Sequence, residues 1–265
     1  MKRSSVLVFS GSDPSGGAGL QADVQTIAAL GAHPLTVVTS LTVQDNDRVY
    51  GVHPIPVPLL QQQAQALMNK IEIAVVKIGI VGNRANAEAI ATIIQHLRRN
   101  QPDLPVVLDP VLASGHGDAL AIDNAVNTLT PLVPLATVFT PNLPEAAVLC
   151  SGERRSDAQA EVLLDMGCQH VLIKGGHANE DKVVNRWFTK GEFRSWTWPR
   201  LPGAFHGSGC TLASSIAALL AQGRPVPDAI EDAQAYCFQA LEHAYAIAEG
   251  QRIPNRPRPY IKPAQ

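Results

Sequence analysis

The sequence predicts an α/β fold with a mostly parallel central sheet. Apolar runs of four to six residues alternate with longer stretches of helical period. The residue or two just past each run is glycine or polar, at the strand ends where open α/β sheets bind ligands. A chain of 265 residues that is 46% hydrophobic and 17% charged can bury such a sheet on both faces.

The first apolar run, residues 6–10, follows a basic start (Lys2, Arg3). It is shorter than the roughly 7–15 residues of a secretory core, so it reads as a strand. Glycines at 11, 16, 17 and 19 then open onto a helix over 18–30. Further strands are expected at 36–41, 75–79, 106–109, 137–140 and 171–174, and helices at 58–70, 84–99, 121–132, 143–149 and 157–166. After Gly176 the pattern changes. Residues 182–188 and 193–198 alternate as a hairpin joined at Lys190-Gly191. Two helices follow, 209–222 and 227–249, and a proline-rich tail from Arg252 is expected to be irregular. Nothing repeats and no linker cuts the chain, so residues 1–265 read as one domain.

The net charge of −2, without a run of like charges, argues against a nucleic-acid or anionic-membrane surface. No window approaches the ~20 apolar residues of a membrane span. Cys150, Cys168, Cys210 and Cys237 lie far apart, without zinc spacing, as expected of reduced thiols in a cytoplasmic protein.

Gly207-Ser208-Gly209-Cys210-Thr211 leads into a run of small helix formers. A glycine turn opening a helix offers unpaired N–H groups and partial positive charge, which together hold an anion. Near a helix start the Cys210 thiol is expected to ionise more readily and could take a proton from an alcohol. A tight turn with a packed cysteine would give the same letters. Within the first loop, residues 17–22 match G-x-G-x-x-A, but they stand late after the strand, and the second strand lacks the acidic end that holds a ribose. No G-x-x-x-x-G-K-[ST] and no nucleophile elbow occur.

Asp109 and Glu145, each just past a strand, form a candidate Mg²⁺ pair for phosphoryl transfer, or else a turn former and a first-turn helix carboxylate. Lys174 is a candidate for neutralising a transferring phosphoryl group, or a solvated strand-end lysine. The Gln44 amide matches the amino-plus-ring-nitrogen edge of an aminopyrimidine, although a surface loop uses glutamine equally well. Asp23 is a further candidate.

These segments together resemble the hydroxymethylpyrimidine/phosphomethylpyrimidine kinases of thiamine biosynthesis, in the ribokinase-like superfamily. The matching stretches are residues 10–23 (SGSDPSGGAGLQAD), 39–44 (TSLTVQ), 77–79 (KIG), 108–111 (LDPV), 140–146 (TPNLPEA), 174–177 (KGGH) and 206–211 (HGSGCT). They span nearly the whole chain in family order; the first and last are the most specific.

The resemblance implies a three-layer α/β/α kinase that phosphorylates 4-amino-5-hydroxymethyl-2-methylpyrimidine with ATP, then its monophosphate to the pyrophosphate. It implies a pyrimidine pocket formed by Gln44, Asp23, Gly11, Ala18, Val43 and Ile80, with Gly207, Ser208 and Gly209 as the anion hole. Cys210 would activate the hydroxyl, Lys174, Asn142 and Thr211 would contact ATP, and Asp109 and Glu145 would support Mg²⁺. A homodimer is also implied. Three places depart from the family pattern: Ile80-Val81, the loop at 113–117, and the hairpin residues 183–187.

The chief rival on the same fold is a pyridoxal kinase, many of which place Asp where Cys210 stands. A non-catalytic pyrimidine sensor is disfavoured by Lys174, Asp109, Glu145 and residues 207–210 standing together. A nicotinamide-dependent oxidoreductase rests only on the late glycine motif.

Overall fold

The structure is a computed structural model that describes residues 2–112, 120, 124–176 and 181–256. The loop 113–117, His177, the start of the helix expected at 121 and the tail beyond Arg256 lie outside the described residues.

Among the described residues, nine strands form one sheet and eight α-helices flank it. In chain order they are β1 (Ser5–Ser12), β2 (His33–Gln44), β3 (Val49–Pro54), β4 (Val75–Ile78), β5 (Val106–Leu108), β6 (Val138–Phe139), β7 (His170–Ile173), β8 (Lys182–Thr189) and β9 (Glu192–Pro199). Their spatial order is β3-β2-β1-β4-β5-β6-β7-β8-β9. The six strands from β2 to β7 run parallel, while β3, β8 and β9 add antiparallel edges. The fold is therefore the expected α/β/α arrangement with a mostly parallel sheet.

The eight helices are α1 (Gly19–Ala29), α2 (Val57–Met68), α3 (Arg84–Arg98), α4 (Ala125–Leu129), α5 (Leu143–Leu149), α6 (Ser156–Asp165), α7 (Ser208–Ala221) and α8 (Val226–Glu242). One core lies under α2, α3 and α6. The other lies under α1, α7 and α8. Central strands buried on both faces need unbroken apolar runs, and Val6, Leu7, Val8 and Phe9 in β1 are all fully buried. Every residue of α7 from Cys210 to Ala221 is buried, which its small side chains permit.

Two expectations need correction, and one irregular segment is held more firmly than its composition suggests. The second strand does not end at residue 41 but continues to Gln44 and turns back as β3, a strand the sequence reading lacks. A polar turn closes this hairpin: Asp45 accepts from the amides of Asp47 and Arg48, both at 2.8 Å. The last helix stops at Glu242 rather than 249. The segment expected to be irregular from Arg252 is pinned, with Phe205 bridging Arg252 and Tyr245 bridging Ile253.

The chain leaves the ends of β1 and β4 in opposite directions, so the sheet opens a crevice between them.

Candidate active site

Two cavities meet beyond the carboxyl ends of the strands. The smaller, about 240 Å³, is lined by Gly11, Ala18, Gln44 and Ile80 together with Asp109, Asn142, Glu145, Lys174 and residues 207–210. The larger, about 390 Å³, lies between the β8–β9 hairpin and α8, with Trp198 stacked on Phe238 at 5.3 Å. They share Lys174, Gly176, Phe205, Ser208, Gly209 and Gln251.

The shared corner is the start of α7. Gly207 caps it in the left-handed region (φ 77°), and no side chain caps the first-turn amides. Those amides are the donors a helix cannot satisfy internally. A Cβ on Gly207 would collide with the Gly17 carbonyl, so glycine is required there for space as well as for its angle. Gly209 faces a similar restriction. A Cβ on it would lie 3.3 Å from Lys174 Nζ and 3.4 Å from an Asp109 oxygen, so the bare backbone brings the helix start against these charges.

Lys174 Nζ donates to Asp109 Oδ1 at 2.8 Å and lies 4.0 Å from Glu145 Oε2. Burial works against its charge, but Asp109 and Glu145 overcome this and hold the ammonium above the ordinary lysine range. Thr140 Oγ1 donates to the same Asp109 oxygen at 3.1 Å. Glu145 and Asn142 form a capping box at α5, with Asn142 N–H donating to Glu145 Oε2 at 2.7 Å and Glu145 N–H to Asn142 Oδ1 at 2.8 Å. Burial raises the Glu145 carboxyl to about 7; Lys174 opposes the rise and Asp109 adds to it.

Cys210 lines the smaller cavity, but its thiol does not ionise more readily as expected for a helix start. Burial pushes it up to about 11, and the Asp23 and Asp109 carboxylates add to the rise; Lys77 and the Gly19 amide only partly offset this.

Three expected positions lie off the cavities. Asp23 is fully buried below the pocket floor, where both its carboxylate oxygens accept from Lys77 Nζ, at 2.8 and 2.9 Å, and one also from Ser214 Oγ at 2.6 Å. Val43 alternates with Gln44 along β2 and is turned out, 52% exposed. Thr211 is fully buried, its hydroxyl donating to the Gly207 carbonyl at 2.8 Å. Asn142 lines the smaller cavity and not the larger one.

Other wall residues went unnoticed in the sequence. Asp45, Asp47 and Arg48 overhang the smaller cavity, and Asn46 ties this turn to the carbonyls of Glu249 (2.9 Å) and Gln251 (3.1 Å). The polar run 45–48 between two β-branched stretches was the available signal. His206 Nε2 lies 2.8 Å from Asp13 Oδ2 and joins the first glycine loop to the anion corner. Burial opposes the Asp13 charge, yet His206 and Ser15 pull its carboxyl below the ordinary range.

A sequence model of the family described as phosphomethylpyrimidine kinase matches residues 13–255. A hydroxymethylpyrimidine/phosphomethylpyrimidine kinase of Mycobacterium tuberculosis is 38% identical over 252 residues, covering 92% of this chain and 90% of that protein. A bifunctional thiamine-biosynthesis protein of Geobacter sulfurreducens is 38% identical over 255 residues, 94% of this chain and 51% of that protein. Among solved structures, the pyridoxal kinase of Staphylococcus aureus in complex with AMP-PCP and pyridoxal superposes with a TM-score of 0.85 at 26% identity, covering 97% and 94% of the two chains.

Proposed function

The chain belongs to the phosphomethylpyrimidine kinase family, and on that premise we propose that it phosphorylates 4-amino-5-hydroxymethyl-2-methylpyrimidine and its monophosphate with ATP, yielding the pyrophosphate for thiamine biosynthesis. The observation that carries this reading is the meeting of two cavities at one uncapped helix start beside Lys174. An acceptor in the smaller and a nucleotide in the larger would present the hydroxyl and the terminal phosphoryl group to the same amides. Positioning plus charge stabilisation is most of what phosphoryl transfer needs.

Gln44 reads the pyrimidine edge, with Gly11, Ala18 and Ile80 as walls. The ring of Trp198 offers the nucleotide base a flat apolar surface. The amides of residues 208–210 and the Lys174 ammonium take the charge that develops on the transferring group. The acceptor oxygen forms its bond to Pγ as the bond from Pγ to the ADP oxygen breaks. The hydroxyl proton passes to the Cys210 sulfur in its ionised form, and a loose transition state lets that transfer come late. Asp23 acts from below, fixing Lys77 near the thiol.

Asp109 and Glu145 suit Mg²⁺, since two adjacent oxygen donors against a phosphate site are what a hard, largely hydrated cation uses. Held there by Asp109 and Glu145, such a cation would supply positive charge against the phosphate groups. Ionisation of Glu145 is favoured by such a cation.

Residues 1–265 act as one kinase domain in this reading, in the cytoplasm and as a homodimer. No helix among the described residues is long and apolar enough to cross a membrane. Leu41 and Val43 share one face of β2, each 52% exposed, and supply an apolar patch suited to a second copy. A coupled ADP-release assay with the pyrimidine alcohol, its monophosphate and pyridoxal in parallel tests the activity, and light scattering on the same preparation tests the dimer. Turnover on both pyrimidines with a dimeric mass is expected. Release with pyridoxal alone, or a monomeric mass, would contradict the respective statement.

A further inference from the structure

Arg256 is fully buried at the end of a segment whose prolines suggest loose structure. Its Nη2 donates to the Gly17 carbonyl and, at 3.4 Å, to the Gly207 carbonyl. Its Nε donates at 2.9 Å to the Thr211 hydroxyl, which itself donates to Gly207. One guanidinium thus touches the first glycine loop, the left-handed cap of α7 and the first turn of that helix. Its charge meets carbonyls and a hydroxyl, and Nη1 has no hydrogen-bond partner among the described residues. A buried guanidinium is costly, so its retention needs a reason in geometry.

We infer that Arg256 is a positioning residue for phosphoryl transfer, a clamp that holds the loops at 11–19 and 206–211 at fixed spacing from behind. The inference deepens the kinase reading and rests on it. The Gly207 carbonyl accepts from the Thr211 amide at 2.9 Å, the Thr211 hydroxyl and Arg256, and these bonds set the direction of the peptide preceding Ser208. That peptide begins the row of amides at the corner where the cavities meet. The Gly17 carbonyl lies on the acceptor side, against Ala18 and Gly19 of the smaller cavity.

The guanidinium is itself anchored. The Tyr236 hydroxyl donates to the Arg256 carbonyl, and Asn255 N–H donates to the Ala240 carbonyl at 2.9 Å, so α8 fixes the segment. Four residues upstream, Arg252 stacks over Phe205 at 5.2 Å. On the cavity side, the His206–Asp13 contact joins the same two loops, so the seam is held from front and back. A planar fork suits this task because it reaches several acceptors at fixed angles, which an ammonium does not.

The test compares Arg256→Lys and Arg256→Ala with the wild type. Lysine should lower kcat at least about tenfold while KM for ATP and for the pyrimidine stays within about threefold, as misplacement rather than lost binding requires. Alanine should lose about a hundredfold or more, with several-fold recovery on adding ethylguanidinium but not ethylamine. If alanine fails to fold, lysine alone decides. Hydrogen exchange at the Thr211 amide, which donates to the Gly207 carbonyl, should quicken at least about tenfold in Arg256→Lys, with α8 unchanged. This arm needs no turnover, so it still decides if the chain proves inactive on the alcohol, a result that would count against the kinase reading alone. Lysine kcat within twofold of wild type, or unchanged exchange at the Thr211 amide, would overturn the inference.

Discussion

At Cys210 two opposing effects meet: a helix start favours a thiolate, and burial among carboxylates disfavours it. With the thiol pushed up to about 11, only a small minority of chains carries the thiolate at pH 7. A role for it as proton acceptor therefore predicts kcat/KM for the pyrimidine rising nearly tenfold per pH unit from 7 to 9. Cys210→Ala should flatten that rise and cut turnover by about 10²–10⁴ with little change in KM. An unchanged rate would leave the thiol a packing role. Gln44→Ala should weaken pyrimidine binding by about 1–3 kcal/mol and leave ATP affinity alone, since the amide faces only the smaller cavity; calorimetry with each ligand reads this. Glu145 carries a stability prediction. Its carboxyl rises to about 7 from an ordinary 4.5, so the folded chain binds more protons than the unfolded chain between those values. Stability should fall as pH rises through that window, and Glu145→Gln should remove this fall, measured as Tm against pH without Mg²⁺.

At the scale of elements, the turn before α7 carries the chemistry, and Gly207→Ala tests it. The substitution must tolerate a positive φ and a collision with Gly17, so a stability loss of at least about 1–3 kcal/mol is expected, with a larger fractional loss of turnover. Denaturant melts alongside kinetics separate the two. The elements that carry strong local signals were legible in the sequence. β1 is a continuous apolar run between a basic start and a glycine-rich loop, α5 has its Asn142–Glu145 cap, and the corner 207–211 has glycines that suit a tight turn. What escaped depends on long-range contacts. β3 exists because it pairs with β2, and its partly exposed residues hold no core pattern of their own. Asp23 read as a pocket residue because sequence cannot show Lys77 beneath the floor. Arg256 looked like a tail residue because its partners lie 45, 49 and 239 positions away.

Across the whole molecule, the sheet's order sets where the acceptor sits. β1 stands between the two directions of winding, so the ends of β1 and β4 bring Gly11 and Ile80 side by side in the lining of one cavity. The antiparallel edge β8–β9 and helix α8 then build the second chamber alongside, and α7 runs beneath both with its start at their junction. The most direct test is a crystal structure with hydroxymethylpyrimidine and a non-hydrolysable ATP analogue bound together. The terminal phosphoryl group is expected within hydrogen-bond reach of the amides of residues 208–210, with the hydroxymethyl oxygen approaching it from the Gln44 side. A terminal phosphoryl group bound away from that corner, or a pyrimidine outside the chamber lined by Gly11 and Ile80, would contradict the account.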